Sequence, residues 1–157
     1  MKYLFLAGLL QLVLFSSFAQ VASVNNRADQ FNVDKGRLSL DGYDPVAYFK
    51  MGKAVKGKSD LSITHSGIRY QFSSEQNREM FRKQPGLYEP QYGGWCAYAM
   101  GKDGSKVEID PETFKVIDGK LYVFYNKYFT NTLKSWNKDE VQLKKKADAN
   151  WYKFYHL

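Results

Sequence analysis

The sequence predicts a small α+β domain, and three observations carry that prediction. Two segments that alternate apolar and polar residues close on short turn pairs, Ser66-Gly67 and Asp118-Gly119. A helix-start signal follows the first of them. The C-terminal stretch carries an apolar stripe at helical spacing. Together these give antiparallel hairpins, a short helix after the first, and C-terminal helices packed on the sheet.

The first 19 residues read as a signal peptide to be removed, which predicts a periplasmic or secreted protein. Lys2 supplies a positive start, residues 3–15 are apolar except mainly at Gln11, and Ser17-Phe18-Ala19 offers small residues where a signal peptidase reads. Cleavage is expected after Ala19. The apolar run is short for a spanning helix, so no transmembrane span is expected in the mature form. Of the 157 residues, 157 − 19 = 138 remain, enough for one domain with a real core. Loss of Lys2 leaves 22 basic against 16 acidic residues, a net +6. That charge favours acidic surfaces, but an exported chain seldom meets nucleic acid, so no nucleic-acid partner is expected.

Residues 20–37 form a polar lead-in, loose or briefly helical, and the domain is expected over 38–157. Asp44 is placed to cap a short helical turn with Pro45 at its first position. Residues 61–65 and 68–72 form the first hairpin. Ser73 and Gln76 make a capping box for the next helix, with Met80 and Phe81 on its buried side and Pro85-Gly86 at its end. Residues 95–100 are apolar but too short for periodicity to separate a strand from a buried helix. Residues 114–117 and 121–125 form the second hairpin. Beyond them, Leu143, Ala147, Trp151 and Phe154 line one helix face. Lys144-Lys145-Lys146 reads as a solvated helix face.

Several of these motifs resemble the YHS domain: Asp44-Pro45-Val46, Thr64-His65-Ser66-Gly67, Tyr70-Gln71-Phe72-Ser73-Ser74, Phe81 and residues 85–88. The continuation through residues 91–100, Asp110-Pro111 and residues 118–122 is similar to the longer, exported bacterial proteins of that family. The resemblance implies metal handling, since YHS domains occur in metal-transporting ATPases and some oxygenases. The family pattern places cysteines where this chain has Ala47, Ser73 and Asn77. A soft-metal site built from those thiols is therefore absent, and a metal must use other residues.

Those other residues are few. Cys96 is the single cysteine, so no internal disulfide exists. Gly93 and Gly94 just before it allow the backbone to wrap a ligand or a neighbouring strand. Its thiolate suits copper(I) or zinc, or the residue is a small buried apolar group. His65, at a hairpin end, is a second candidate ligand or a histidine bonded to backbone. Met100 could add a thioether or simply pack. Copper is the expected ion for such a soft set. Tyr92 and Trp95 could wall a small-ligand pocket, though aromatics at this density usually fill a core. Asp41, Asp44 and Asp110 read as caps and turn residues. His156 lies near the C-terminus and reads as solvent-exposed.

Cys96 and His65 are also the minimum pair for a thiol nucleophile, but no signature surrounds the cysteine, and no HExxH, CxxC or phosphate loop occurs. The function expected is thus non-catalytic binding of a transition metal or metal-containing ligand. The alternatives are an interaction or structural module that has lost the metal and serves a periplasmic protein partner, and a thiol-dependent enzyme.

Overall fold

The computed structural model describes the backbone of residues 27–155 and the side chains of residues 27–153. The expected signal peptide, its cleavage point, His156 and the Phe154 side chain lie outside the described residues. The architecture is α+β, with antiparallel hairpins and helices around one continuous body. The strands do not merge into one sheet. Each hairpin is its own two-stranded ladder, and helices and turns fill the spaces between them.

Helix α1 (Pro45–Lys50) starts as the sequence predicts, with Asp44 as its cap and Pro45 at its first position. Strands β1 (Lys58–His65) and β2 (Ile68–Phe72) pair from His65↔Ile68 outward, with an irregularity between Lys58 and Ser62. Ser66 and Gly67 both have positive φ, +48° and +81°, as a two-residue type I′ turn requires. Alternation then points Ile68, Tyr70 and Phe72 inward, where they meet Val46 and Phe81.

Helix α2 (Glu75–Lys83) begins one residue later than a Ser73–Gln76 capping box would place it. Ser74 is the cap, and its hydroxyl accepts the Asn77 backbone N–H at 3.1 Å. Ser73 is drawn away because its own N–H and hydroxyl both donate to buried Asp44. Gln76 then falls at the second helical position, too early for the reciprocal bond, and stays exposed.

The ambiguous stretch resolves as helix α3 (Ala97–Lys102), with Cys96 at its N-cap position. Strands β3 (Asp110–Ile117) and β4 (Lys120–Phe124) form the second hairpin around Asp118-Gly119, again with positive φ at both residues. Strand β4 is buried on both faces. Leu121 and Val123 face the cluster containing Tyr48 and Cys96, while Tyr122 and Phe124 face the one containing Met100 and Trp136. A period of two thus joins two halves of the core through one strand.

A third hairpin, β5 (Asn126–Lys127) and β6 (Thr130–Asn131), leads into helices α4 (Thr132–Trp136) and α5 (Glu140–Tyr155). Ala147 is buried, with Leu143 and Trp151 packed beside it, as the stripe predicts. These residues meet α3 and β4 together. Gly101 is a point of close approach, where a methyl group would overlap the Leu143 carbonyl. The body extends upstream of the expected boundary at residue 38. Ala28 and Phe31 are core residues, and the Asn32 N–H donates to the Gly93 carbonyl at 2.9 Å.

Candidate functional site

The most highly bonded polar group described is the carboxylate of Asp44, which has no exposed surface. Its Oδ1 accepts the backbone N–H groups of Val46 at 2.9 Å and Ala47 at 3.3 Å. Its Oδ2 accepts the Ser73 N–H at 2.8 Å, the Ser73 hydroxyl at 2.6 Å and the Asn77 side-chain amide at 2.7 Å. All of these donors are neutral, and charge-assisted bonds of that kind offset the desolvation of the anion. The knot ties the start of α1 to the β2–α2 corner. Beside it lies an open cleft of about 590 Å³, with Met51, Val55 and Met80 as its apolar wall and Lys50, Ser74 and Gln76 as its polar one. Sequence reading reaches Asp44 as a cap but misses the knot, because Ser73 and Asn77 are 29 and 33 residues away.

Cys96 is fully buried. Its sulfur lies 3.4 Å from the Thr132 hydroxyl and accepts the Tyr125 backbone N–H at 3.4 Å. It lies behind the wall of a pocket of about 190 Å³ lined also by Tyr98, Lys102 and Val107, and contributes no exposed surface. His65 is the last residue of β1, as expected. Its ring meets the Phe81 ring edge-on, with centroids 6.2 Å apart, and its carbonyl accepts from Arg27 at 3.4 Å. Met100 is buried among Tyr122, Phe124 and Trp136. His65 thus packs apart from the other two, against Phe81. Cys96 and Met100 lie one helical turn apart, with the Met100 N–H donating to the Cys96 carbonyl at 3.0 Å, and turn their side chains into two adjoining clusters. Among the described residues, no three of His, Cys, Asp and Glu are grouped to hold a metal ion.

The glycine pair before Cys96 wraps protein. Tyr92, Gly93 and Gly94 all have positive φ, and Gly93 lies against Phe31 and Trp151 with no room for a methyl. Tyr92 is buried, and its hydroxyl donates to Asp148 at 2.9 Å. Burial first, and the Asp148 carboxylate second, push that phenol well above its ordinary range. Trp95 donates its ring N–H to the Gln30 carbonyl at 2.7 Å. Tyr92 does line a pocket, of about 180 Å³, together with Arg27, Phe31, Glu89 and Trp151. Trp95 is not among the residues lining it. Arg27 holds Glu89 in a pair of 2.7 Å bonds, and the Tyr70 hydroxyl donates to the same carboxylate at 2.8 Å. Burial, followed by Glu89, pushes the Tyr70 phenol up as well.

The remaining carboxylates act as turn residues. Asp110 accepts from the Glu112 N–H and the Thr113 hydroxyl, and Asp41 lies in a left-handed turn between Leu40 and Gly42. In the lysine run, Lys144 pairs with Asp148 at 2.9 Å one helical turn on. No helix among the described residues is long and apolar enough to cross a membrane. No family model, no curated protein and no solved structure matches this chain.

Proposed function

We propose that this chain is an exported, non-catalytic binding module of the YHS type that works through a protein surface and holds no metal. The carrying observation is the Asp44 knot. The positions at which the family resemblance expects thiols are 47, 73 and 77, and all three meet at one carboxylate. Ala47 offers its backbone N–H, Ser73 its N–H and hydroxyl, and Asn77 its amide. Hydrogen bonds occupy the place where sulfur ligands would converge. The neighbouring cleft, with its Met51–Val55–Met80 wall and exposed Lys50, is the recognition surface in this reading.

The test has two arms. A photo-crosslinking side chain at Met51, which is 55% exposed, should trap a discrete partner in the producing cells, whereas one at Lys83 should not. Copper(I) and zinc titrations of the purified protein should show no stoichiometric binding. The competing reading keeps a transition metal, or a metal-containing ligand, on Cys96, His65 and Met100. Stoichiometric copper binding that is lost in both Cys96→Ala and His65→Ala would establish that reading instead. Intact mass of the exported form should match a chain beginning at Gln20.

A further inference from the structure

The third hairpin has no counterpart in the sequence signals. Its turn is Tyr128-Phe129, between the paired residues Lys127 and Thr130. Both residues have positive φ, +51° and +65°. Glycine and asparagine accept that conformation readily, and bulky aromatics do not. Both side chains project into solvent, Tyr128 at 87% and Phe129 at 111% of full exposure. Packing within the fold therefore does not account for two rings at a position where the backbone disfavours them.

The hairpin is mounted on a fixed base. The Thr132 N–H and hydroxyl both donate to the Tyr125 carbonyl, at 3.0 and 2.8 Å. Asn126 donates to the Thr113 hydroxyl at 2.9 Å, and the Asn131 side chain caps α4. The sequence flanking the tip is basic, with Lys127 immediately before it and Lys134 in the helix that follows. Residues 119–138 contain Lys120, Lys127, Lys134 and Lys138 and neither Asp nor Glu. The acidic residues of the neighbouring strand β3 lie at the base of the hairpin: Asp110 accepts the Thr113 hydroxyl and Glu112 the Tyr43 hydroxyl.

We infer that Tyr128-Phe129 is a membrane-docking tip that seats in the interfacial region of an anionic lipid surface. Tyrosine and phenylalanine present large apolar bodies at that depth, and lysines behind them meet the headgroup charge. Area decides against a protein groove as the main occupant. Two aromatic side chains bury roughly 300–500 Å². A stable protein interface needs about 800 Å² on each side. Shallow insertion adds electrostatic attraction to whatever apolar area it buries, so a small tip backed by lysines suffices for reversible docking. The role of this tip does not depend on the cleft beside Asp44.

The experiment is vesicle co-sedimentation of the whole chain with phosphatidylglycerol-containing vesicles and with pure phosphatidylcholine vesicles. The wild type should bind the anionic vesicles at least about tenfold more tightly, and high salt should weaken that binding. Tyr128→Asn/Phe129→Gly supplies a favoured type I′ turn, so the fold is retained while the rings are lost. Its binding to anionic vesicles should fall about tenfold or more. Wild type and variant share one N-terminus, so residues 3–15 contribute equally to both. As a second readout, the extra emission of the Phe129→Trp variant should be quenched by brominated phosphatidylglycerol. Equal binding by wild type and double variant, or no preference for the anionic vesicles, overturns the inference. So does the absence of quenching in Phe129→Trp, and a protein pocket would then be the occupant to seek.

Discussion

The Ser73 hydroxyl donates to the buried Asp44 carboxylate at 2.6 Å, closing a contact between residues 29 positions apart. That bond takes Ser73 out of the helix cap and joins α1 to the β2–α2 corner. Asp44→Ala would leave the donors of Val46, Ser73 and Asn77 facing a void. Buried donors without acceptors are costly, and a helix cap is lost with them. The variant should lose about 3 kcal/mol or more of stability. Asn77→Ala removes one donor and should cost about 1–2 kcal/mol. Urea unfolding checks both, and a loss in Asp44→Ala no larger than in Asn77→Ala would show that the knot is not a unit.

Cys96 has two polar neighbours, the Tyr125 N–H and the Thr132 hydroxyl, each 3.4 Å from the sulfur. Cys96→Ser keeps an acceptor for the Tyr125 N–H and a donor for the Thr132 oxygen, whose own hydrogen goes to the Tyr125 carbonyl, whereas Cys96→Ala strands the Tyr125 N–H and opens a small cavity. The alanine variant should be destabilised by about 1–3 kcal/mol, and the serine variant by less. In the native protein the thiol should resist a thiol reagent, because no part of it is exposed. Labelling that runs as fast in the folded as in the unfolded chain would contradict the burial.

What the sequence reveals here is local. Asp44-Pro45, Ser66-Gly67 and Asp118-Gly119 each declare a backbone geometry that their own side chains favour, and each forms as read. The Tyr128-Phe129 turn is the same geometry made from residues that disfavour it, so no local signal announces it. The helix cap at Ser74 is missed for a different reason. Ser73 and Ser74 are chemically alike, and a residue remote in sequence chooses between them. Likewise, Cys96, His65 and Met100 share a ligand chemistry, but shared chemistry gives no information on distance. The role of Gly93 is half legible: its freedom is needed, and the neighbours that need it, Phe31 and Trp151, come from opposite ends of the domain.

Buried phenols set the protein's behaviour in alkali; Tyr122 is among them, and three others are shifted furthest. Burial raises Tyr48, Tyr70 and Tyr92 above the ordinary value, helped at Tyr70 by Glu89 and at Tyr92 by Asp148. A phenol held neutral in the fold but free to ionise when unfolded stabilises fully below about pH 10. That stabilisation is lost as pH rises above about 10 toward the folded-state values, at up to about 1.4 kcal/mol per pH unit for each tyrosine. Unfolding midpoints in urea should therefore fall steeply above about pH 10. Tyrosinate absorbance from these three should appear together with unfolding. Their ionisation in a chain that remains folded would contradict the assignment.

The strain in the third hairpin bears on stability as well. A left-handed residue with a side chain costs roughly 1–2 kcal/mol, and Tyr128 and Phe129 are both left-handed. Neither ring recovers that cost by burial, since both are exposed. Asparagine at 128 and glycine at 129 relieve the conformation, while glycine gives back part of the gain through the greater freedom of the unfolded chain. Tyr128→Asn/Phe129→Gly should thus be more stable than the wild type by about 1–2 kcal/mol. The single variant Phe129→Gly should fall between the two. Denaturant melts measure the difference directly. A double variant less stable than the wild type would mean that the rings are held by contacts within the fold, and the case for an outward-facing role would lose its physical basis.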